Sequence, residues 1–163
     1  MSFGTGHHQT TTMMMQYILA ADLKDKEVLD MGCGTAILAI LAAKLGAKTL
    51  VAIHYDEVCY DSTLENASLN QVDNLRALCG SKEVIPNELY DVIFANINRN
   101  ILLDQIHRYA EVLKPEGKIF FSGFNLDPDL GLITAECAKH GIKYVDHKQN
   151  GEWVAAQFEK KND

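Results

Sequence analysis

The chain has 163 residues, 47% of them hydrophobic and 23% charged, which is enough apolar material for one core and too much for a disordered segment. With 15 basic residues against 22 acidic ones, the net charge of -7 lacks the positive field that sequence-independent nucleic-acid binding requires, so no nucleic-acid partner is expected. The longest apolar run, Ala36 to Ala43, is too short to cross a bilayer and no charged-then-apolar leader opens the sequence, so a cytoplasmic protein without a membrane partner is expected.

Thr10 to Ala21 has helical apolar spacing through Met13, Met14, Tyr17 and Ile18, and the methionines read as packing residues rather than ligands. A loop, Asp22-Leu23-Lys24-Asp25-Lys26, feeds a strand over Glu27 to Met31. A helix over Ala36 to Leu45 follows, stopped by Gly46 where glycine commonly closes helices. The strand Thr49 to Tyr55 is almost continuously apolar, as a parallel strand covered on both faces must be. Next come a helix over Val58 to Asn70, a short strand Leu75 to Cys79, a strand Asp91 to Ala95 and a helix Ile101 to Leu113 that ends before Pro115. A Lys114-Pro115-Glu116-Gly117 turn leads into a strand over Lys118 to Ser122. The chain closes with a helix over Asp129 to His140, then strands Ile142 to His147 and Trp153 to Phe158. Between those two, Gln149-Asn150-Gly151 contains the Asn-Gly hairpin signal. The alternation predicts a single α/β domain over residues 1–163. Its open sheet has seven strands, mostly parallel, and the last strand runs antiparallel. That is the outline of the class I methyltransferase fold, which is Rossmann-like. In such sheets the ligand lies at the carboxyl ends of the strands, near the switch in strand order.

Val28-Leu29-Asp30-Met31-Gly32-Cys33-Gly34-Thr35-Ala36 is the most informative stretch. A buried strand delivers its end into a turn whose glycines let backbone approach a ligand, and the helix that follows presents free N–H groups. A dinucleotide fingerprint requires a small residue where Ile37 stands, which disfavours a nicotinamide dehydrogenase. The D-x-G-x-G-x-G pattern of S-adenosylmethionine enzymes fits better, with Ala36 in the place of the last glycine. A strand-turn-helix with small residues for packing is the plainer alternative. Cys33, Cys59, Cys79 and Cys137 lie far apart without a C-x-x-C, so neither a metal site nor a disulfide framework is expected, only reduced and partly buried fillers.

Four segments together carry a family resemblance: Ser2-Phe3-Gly4-Thr5-Gly6-His7-His8-Gln9-Thr10-Thr11, the Asp30 motif, Asp91-Val92-Ile93-Phe94-Ala95-Asn96-Ile97, and Gly151-Glu152-Trp153-Val154. In order and spacing the chain resembles the bacterial methyltransferases of large-subunit ribosomal protein eleven over essentially its whole length. The resemblance implies that Thr11 and Gly32 contact S-adenosylmethionine, that Asp30 and Gly34 complete the methionine side, and that Asn96 lies beside the reactive centre. It implies methylation of a lysine side chain or α-amine of that ribosomal protein, with S-adenosylhomocysteine as product. Two departures stand out. The family's ribose-gripping acid at the end of the second strand is here His54, a change expected to weaken cofactor binding. Asp56 either shares the acid's work or caps the next helix. The family also carries an upstream substrate-recognition domain that this sequence does not contain, so docking of the ribosomal protein is expected to be poor.

Asn96 suits an orienting role because its carbonyl oxygen accepts from an amine while its NH₂ donates elsewhere, although a turn-forming asparagine would read the same way. His7, His8 and His54 are conceivable proton acceptors, and nothing in the spacing selects one. Two rival readings remain. One is a methyltransferase for another substrate, such as the exocyclic amine of a base; it is disfavoured because Ile97-Asn98-Arg99-Asn100 holds no proline. The other is a degenerate or non-catalytic cofactor-binding module. Phe3 and Phe124 read either as flanks of the ligand or as core and loop residues.

Overall fold

The computed structural model describes residues 7–32 and 37–161. Phe3, Cys33, Gly34 and Ala36 therefore lie outside the described residues. In chain order the elements are α1 (His7–Ala20), β1 (Glu27–Gly32), α2 (Ile37–Lys44), β2 (Thr49–His54), α3 (Glu57–Leu69), β3 (Leu75–Cys79), β4 (Tyr90–Asn96), α4 (Arg99–Val112), β5 (Leu113–Asn125), α5 (Gly131–Ala138), β6 (Ile142–Asn150) and β7 (Trp153–Lys160).

The strands form one sheet in the order β3-β2-β1-β4-β5-β7-β6. β1 lies parallel between β2 and β4, and β7 runs antiparallel between β5 and β6. The chain moves outward from β1 to β3, then crosses back to place β4 on the other side of β1. The switch point therefore lies between the carboxyl ends of β1 and β4, where a crevice must open.

Alternation along the strands sorts the core into two layers. Val28, Val92 and Phe94 pack with Met13, Met14 and Ile18 of α1 and with Leu38 and Ala42 of α2. Leu29, Met31, Ile93 and Ala95 face the other way, onto Leu102, Ile106 and Tyr109 of α4 and Ile133 of α5. Every one of these side chains is buried, and burial of that kind stabilises by about 1.5–3 kcal/mol for a large aliphatic or aromatic group. α3 covers the face that holds Leu50 and His54, since its Thr63 hydroxyl meets the His54 ring. Met13 and Met14 are core residues, as their helical spacing predicts, and Phe124 is in the core rather than beside the crevice.

Several boundaries differ from the sequence expectation for identifiable reasons. Lys114-Pro115-Glu116-Gly117 is not a separate turn but a looped-out stretch inside β5: Tyr90 pairs with Leu113 and Val92 already pairs with Lys118. Pro115 has no N–H for the ladder and Glu116 sits at φ 67°, so these residues leave the sheet without ending the strand. α4 starts at Arg99 because the Asn98 side chain caps it, accepting from Ile101 N at 3.1 Å. α5 starts only at Gly131 because Asp129, expected to open it, instead accepts from Asn125 N and pairs with Arg99, both at 2.9 Å. The hairpin is longer than its signal suggested, with Asn150 still opposite Trp153. Cys79 is exposed rather than a filler, whereas Cys59 and Cys137 are buried. No helix among the described residues is long and apolar enough to cross a membrane.

Candidate functional site

Gly32 ends β1 and is the register partner of Asn96, which ends β4. Gly32 adopts φ +144°, and a Cβ there would stand 3.2 Å from the Asn96 carbonyl oxygen, so the two strand ends approach as closely as they do only because this residue lacks a side chain. Both residues line a cavity of about 500 Å³ that runs from the β1–β4 junction to α4. Met31, Ile53, Ile97 and Ile101 form its apolar wall, and Asn96, Asn98 and Asn100 supply amides. Asp104 is the one charged residue among its described lining residues, and Lys82, which is not one of them, pairs with it at 2.8 Å. The described lining itself holds no basic side chain, and its apolar wall with three amides suits a ligand that has an apolar ring and polar substituents.

The Asn96 amide makes no hydrogen bond among the described residues, leaving its carbonyl oxygen and NH₂ free for a ligand. Its Oδ1 lies where a Cβ on Gly123 would approach to 2.9 Å, and Gly123 itself sits at φ +94° in the bulge of β5 opposite β7. Gly123 therefore shapes the space the amide occupies. Gly123→Ala is expected to cost about 1–2 kcal/mol in a denaturant melt from backbone strain, and to rotate Asn96 out of place. Unchanged stability and turnover in that variant would contradict this role.

Asp30, two residues before Gly32, is buried, and burial pushes its carboxyl up to about 7. It has no ion pair or hydrogen bond among the described residues. A buried carboxylate with no partner among the described residues favours either a proton or a nearby cation; Asp30 itself is not among the residues that line the cavity.

His54 does not line the cavity; its ring is 3% exposed, one step along β2 from the pairing of Ile53 with Met31. The Thr63 hydroxyl lies 2.9 Å from His54 Nε2 and donates to the Cys59 carbonyl, also at 2.9 Å. The hydroxyl has one proton, and the carbonyl takes it. A Thr63 that donates to Cys59 accepts from the ring, with the imidazole proton on Nε2; Nδ1 is then buried without a side-chain partner among the described residues, and the Gly32 backbone acts on the ring. Burial lowers the ring's pKa, against the opposing pull of the Gly32 backbone and Asp56. Asp56 resolves into one of its two sequence alternatives: it caps α3, accepting from Val58 N at 2.8 Å.

The structure thus brings Asp30, Gly32, His54 and Asn96 to adjacent strand ends. Thr11 is half-buried on α1 and outside the cavity lining, and Gly34 lies outside the described residues. Sequence reasoning missed the far wall. Ser81 accepts from Gln105 Nε2 at 2.8 Å, Tyr109 donates to Gln105, and Lys82 pairs with Asp104 at 2.8 Å. The signal available for it was Gly80-Ser81 directly after β3, a second glycine turn at a carboxyl end. Among the described residues no group of three or more metal-ligating side chains occurs.

The model of the ribosomal protein L11 methyltransferase (PrmA) family matches residues 1–161. The ribosomal protein L11 methyltransferase of Bacteroides thetaiotaomicron is 43% identical over 159 residues, covering 97% of this chain and 56% of that protein. The one from Porphyromonas gingivalis is 44% identical over 160 residues, covering 97% of this chain and 54% of that protein. The chain therefore spans about half the length of the curated relatives it matches. The crystal structure of the ribosomal protein L11 methylase from Lactobacillus delbrueckii subsp. bulgaricus superposes with a TM-score of 0.89 at 32% identity, covering 96% of this chain and 81% of that one. A methyltransferase from Pyrococcus furiosus shares the fold, with a TM-score of 0.78 at 20% identity. With a fold that superposes on a solved ribosomal protein L11 methylase, relatives at 43% and 44% identity and a family match over nearly its full length, the chain belongs to the ribosomal protein L11 methyltransferase family.

Proposed function

We propose that this domain binds S-adenosylmethionine at the carboxyl ends of β1, β2 and β4 and transfers its methyl group to a lysine or α-amine of ribosomal protein L11. The observation that carries the reading is the Gly32–Asn96 junction at the switch point, which lines a cavity whose described lining holds no basic residue; Asp30, buried and without a partner among the described residues, lies two residues before Gly32 and outside that lining. Each feature fits the cofactor. Asp30 receives its ammonium, the His54 Nδ1 offers an acceptor to a hydroxyl, and Gly32 leaves backbone space. The roles of Thr11 and Gly34 on the methionine side belong to the same proposal.

When bound, the cofactor supplies a methyl group made electrophilic by its sulfonium. The residues of the chain then have three tasks. Asp30, which has no cation among the described residues, ionises fully against the ligand's ammonium, and this favours the ligand over a neutral analogue. Asn96 Oδ1 accepts a hydrogen bond from the incoming amine and so fixes the direction of its lone pair. The apolar wall of Ile53, Ile97 and Ile101 keeps water from the amine. At pH 7 a free lysine is neutral in about one molecule in 2,500, a cost of roughly 4.6 kcal/mol, and a dry site beside a positive charge reduces that cost. No dedicated base is then needed.

The test is incubation of the protein with labelled S-adenosylmethionine and purified ribosomal proteins, read by intact-mass spectrometry. Methyl increments on L11 are expected. Cofactor binding without any methylated product would favour a non-catalytic module, and methylation of a different protein would replace the substrate assignment.

A further inference from the structure

Ser122 closes the stretch of β5 that pairs with β4, and its register partner there is Asn96. Side chains alternate along a strand, so Ser122 shares a face with Phe120 and Asn96 shares one with Phe94, and both phenylalanines pack in the layer under α1. Ser122 and Asn96 therefore stand side by side on one face, on strands about 4.8 Å apart. On the other side of Ser122, its partner on β7 is Ala155, which offers no polar side chain. The serine is 0% exposed and its hydroxyl has no hydrogen-bond partner among the described residues, while Asn96 is half-buried with its amide unspent. A buried hydroxyl without a partner is rare and unfavourable until something pairs with it. Building on the function proposed above, we propose that Ser122 is a positioning residue: its Oγ accepts a hydrogen bond from the Asn96 side-chain NH₂, which leaves Oδ1 as the end of the amide that meets the incoming amine.

The two ends of an amide are not equivalent for this chemistry. An NH₂ turned toward the substrate would donate to the lone pair of the amine and compete with the methyl group for it, whereas Oδ1 accepts an N–H and leaves that pair uncovered. The shape of the amide does not choose between its ends. A hydrogen-bond acceptor behind it does, and a serine hydroxyl brings two lone pairs and a proton that rotates to suit. Gly123, the next residue of β5, contributes room: a Cβ there would stand 2.9 Å from Asn96 Oδ1. Consecutive residues of β5 thus give Asn96 its space and its anchor. The bond forms as the amine engages Oδ1, so it acts on the aligned reactants and not on the capture of the cofactor. Before that moment the hydroxyl is an unpaired buried group, and its removal does not destabilise the cofactor-free protein.

Ser122→Ala and Ser122→Thr are compared with the wild type by turnover on ribosomal protein L11, by the calorimetric Kd of S-adenosylhomocysteine, and by the melting temperature of the cofactor-free protein. Ser122→Ala is expected to lower kcat by about tenfold, to leave the Kd within about twofold, and to melt at or above the wild-type temperature. Ser122→Thr keeps the hydroxyl and is expected to hold kcat within about threefold of the wild type. A residue that serves only the fold would instead lose kcat, affinity and melting temperature together. An alanine variant that turns over like the wild type, or that loses stability and cofactor affinity along with kcat, overturns the inference, and so does a folded threonine variant as slow as the alanine one. If the larger threonine prevents a cooperative melt, the alanine result decides alone. All of these outcomes leave the proposed function standing. A wild type that leaves L11 unmethylated would remove that function, and this inference with it.

Discussion

Replacing Asp30 by asparagine should raise the melting temperature of the cofactor-free protein at pH 8 and at the same time weaken its grip on S-adenosylmethionine. Burial raises the folded-state pKa of Asp30 to about 7, far above that of an unfolded aspartate. Between these two values the folded protein keeps a proton that the unfolded chain has lost. Stability therefore declines as pH rises from about 4 to about 7, and is lowest above that window. Three pH units of such linkage amount to ~4 kcal/mol. A buried asparagine finds no hydrogen-bond partner among the described residues, so a net gain of about 1–3 kcal/mol is expected, or roughly 3–10 °C. Loss of the charged partner should cost the cofactor about ten- to a hundredfold in affinity. Scanning fluorimetry at pH 5 and pH 8, with calorimetry of the cofactor at pH 8, reads both effects. A variant that is less stable at pH 8 and binds as well as the wild type would show that Asp30 serves packing alone.

Asn96→Ala should do the opposite: leave the cofactor's Kd within a few-fold and lower kcat by about a hundredfold or more, the usual penalty for losing alignment of reacting groups. The residue ends β4 with an amide that makes no hydrogen bond among the described residues, opposite Gly32 and against Gly123. A group held in place by surrounding backbone, yet with its own polar atoms unspent, is suited to orienting an amine. If kcat survives and the Kd rises instead, Asn96 is a cofactor ligand and the orienting group lies elsewhere.

The parts of this fold that were legible in the sequence are those set by apolar period and turn chemistry. Thr49 to Tyr55 reads as a buried parallel strand because apolar residues run through its middle without a break, and the strand is Thr49–His54; Asn150-Gly151 marks the hairpin because few other dipeptides close one. What escaped was decided by single side chains bonding across the fold. Asp129 looks like the opening of a helix, but its carboxylate is spent on Arg99 and Asn125, and the helix begins beyond it. Lys114 to Gly117 read as a turn between a helix and a strand, yet Leu113 already pairs with Tyr90 and the ladder resumes at Lys118, where Phe120 and Phe121 fill the core. At the site, the glycine turn, Asp30 and Asn96 were visible because their chemistry is local to a strand end. The bonding of His54 was not, since it depends on Thr63, nine residues away and nearly two turns into α3. Gly123 was hidden for the same reason: its consequence falls on Asn96, on a different strand.

A crystal structure of the protein with S-adenosylhomocysteine bears most directly on the whole account. It should show the ammonium of the ligand at Asp30, a ribose hydroxyl at His54 Nδ1, and the sulfur facing the Asn96 amide across the Gly32 turn. Density for the ligand anywhere other than the carboxyl ends of β1, β2 and β4, or an ammonium held by some other carboxylate with Asp30 still unpaired, would contradict it.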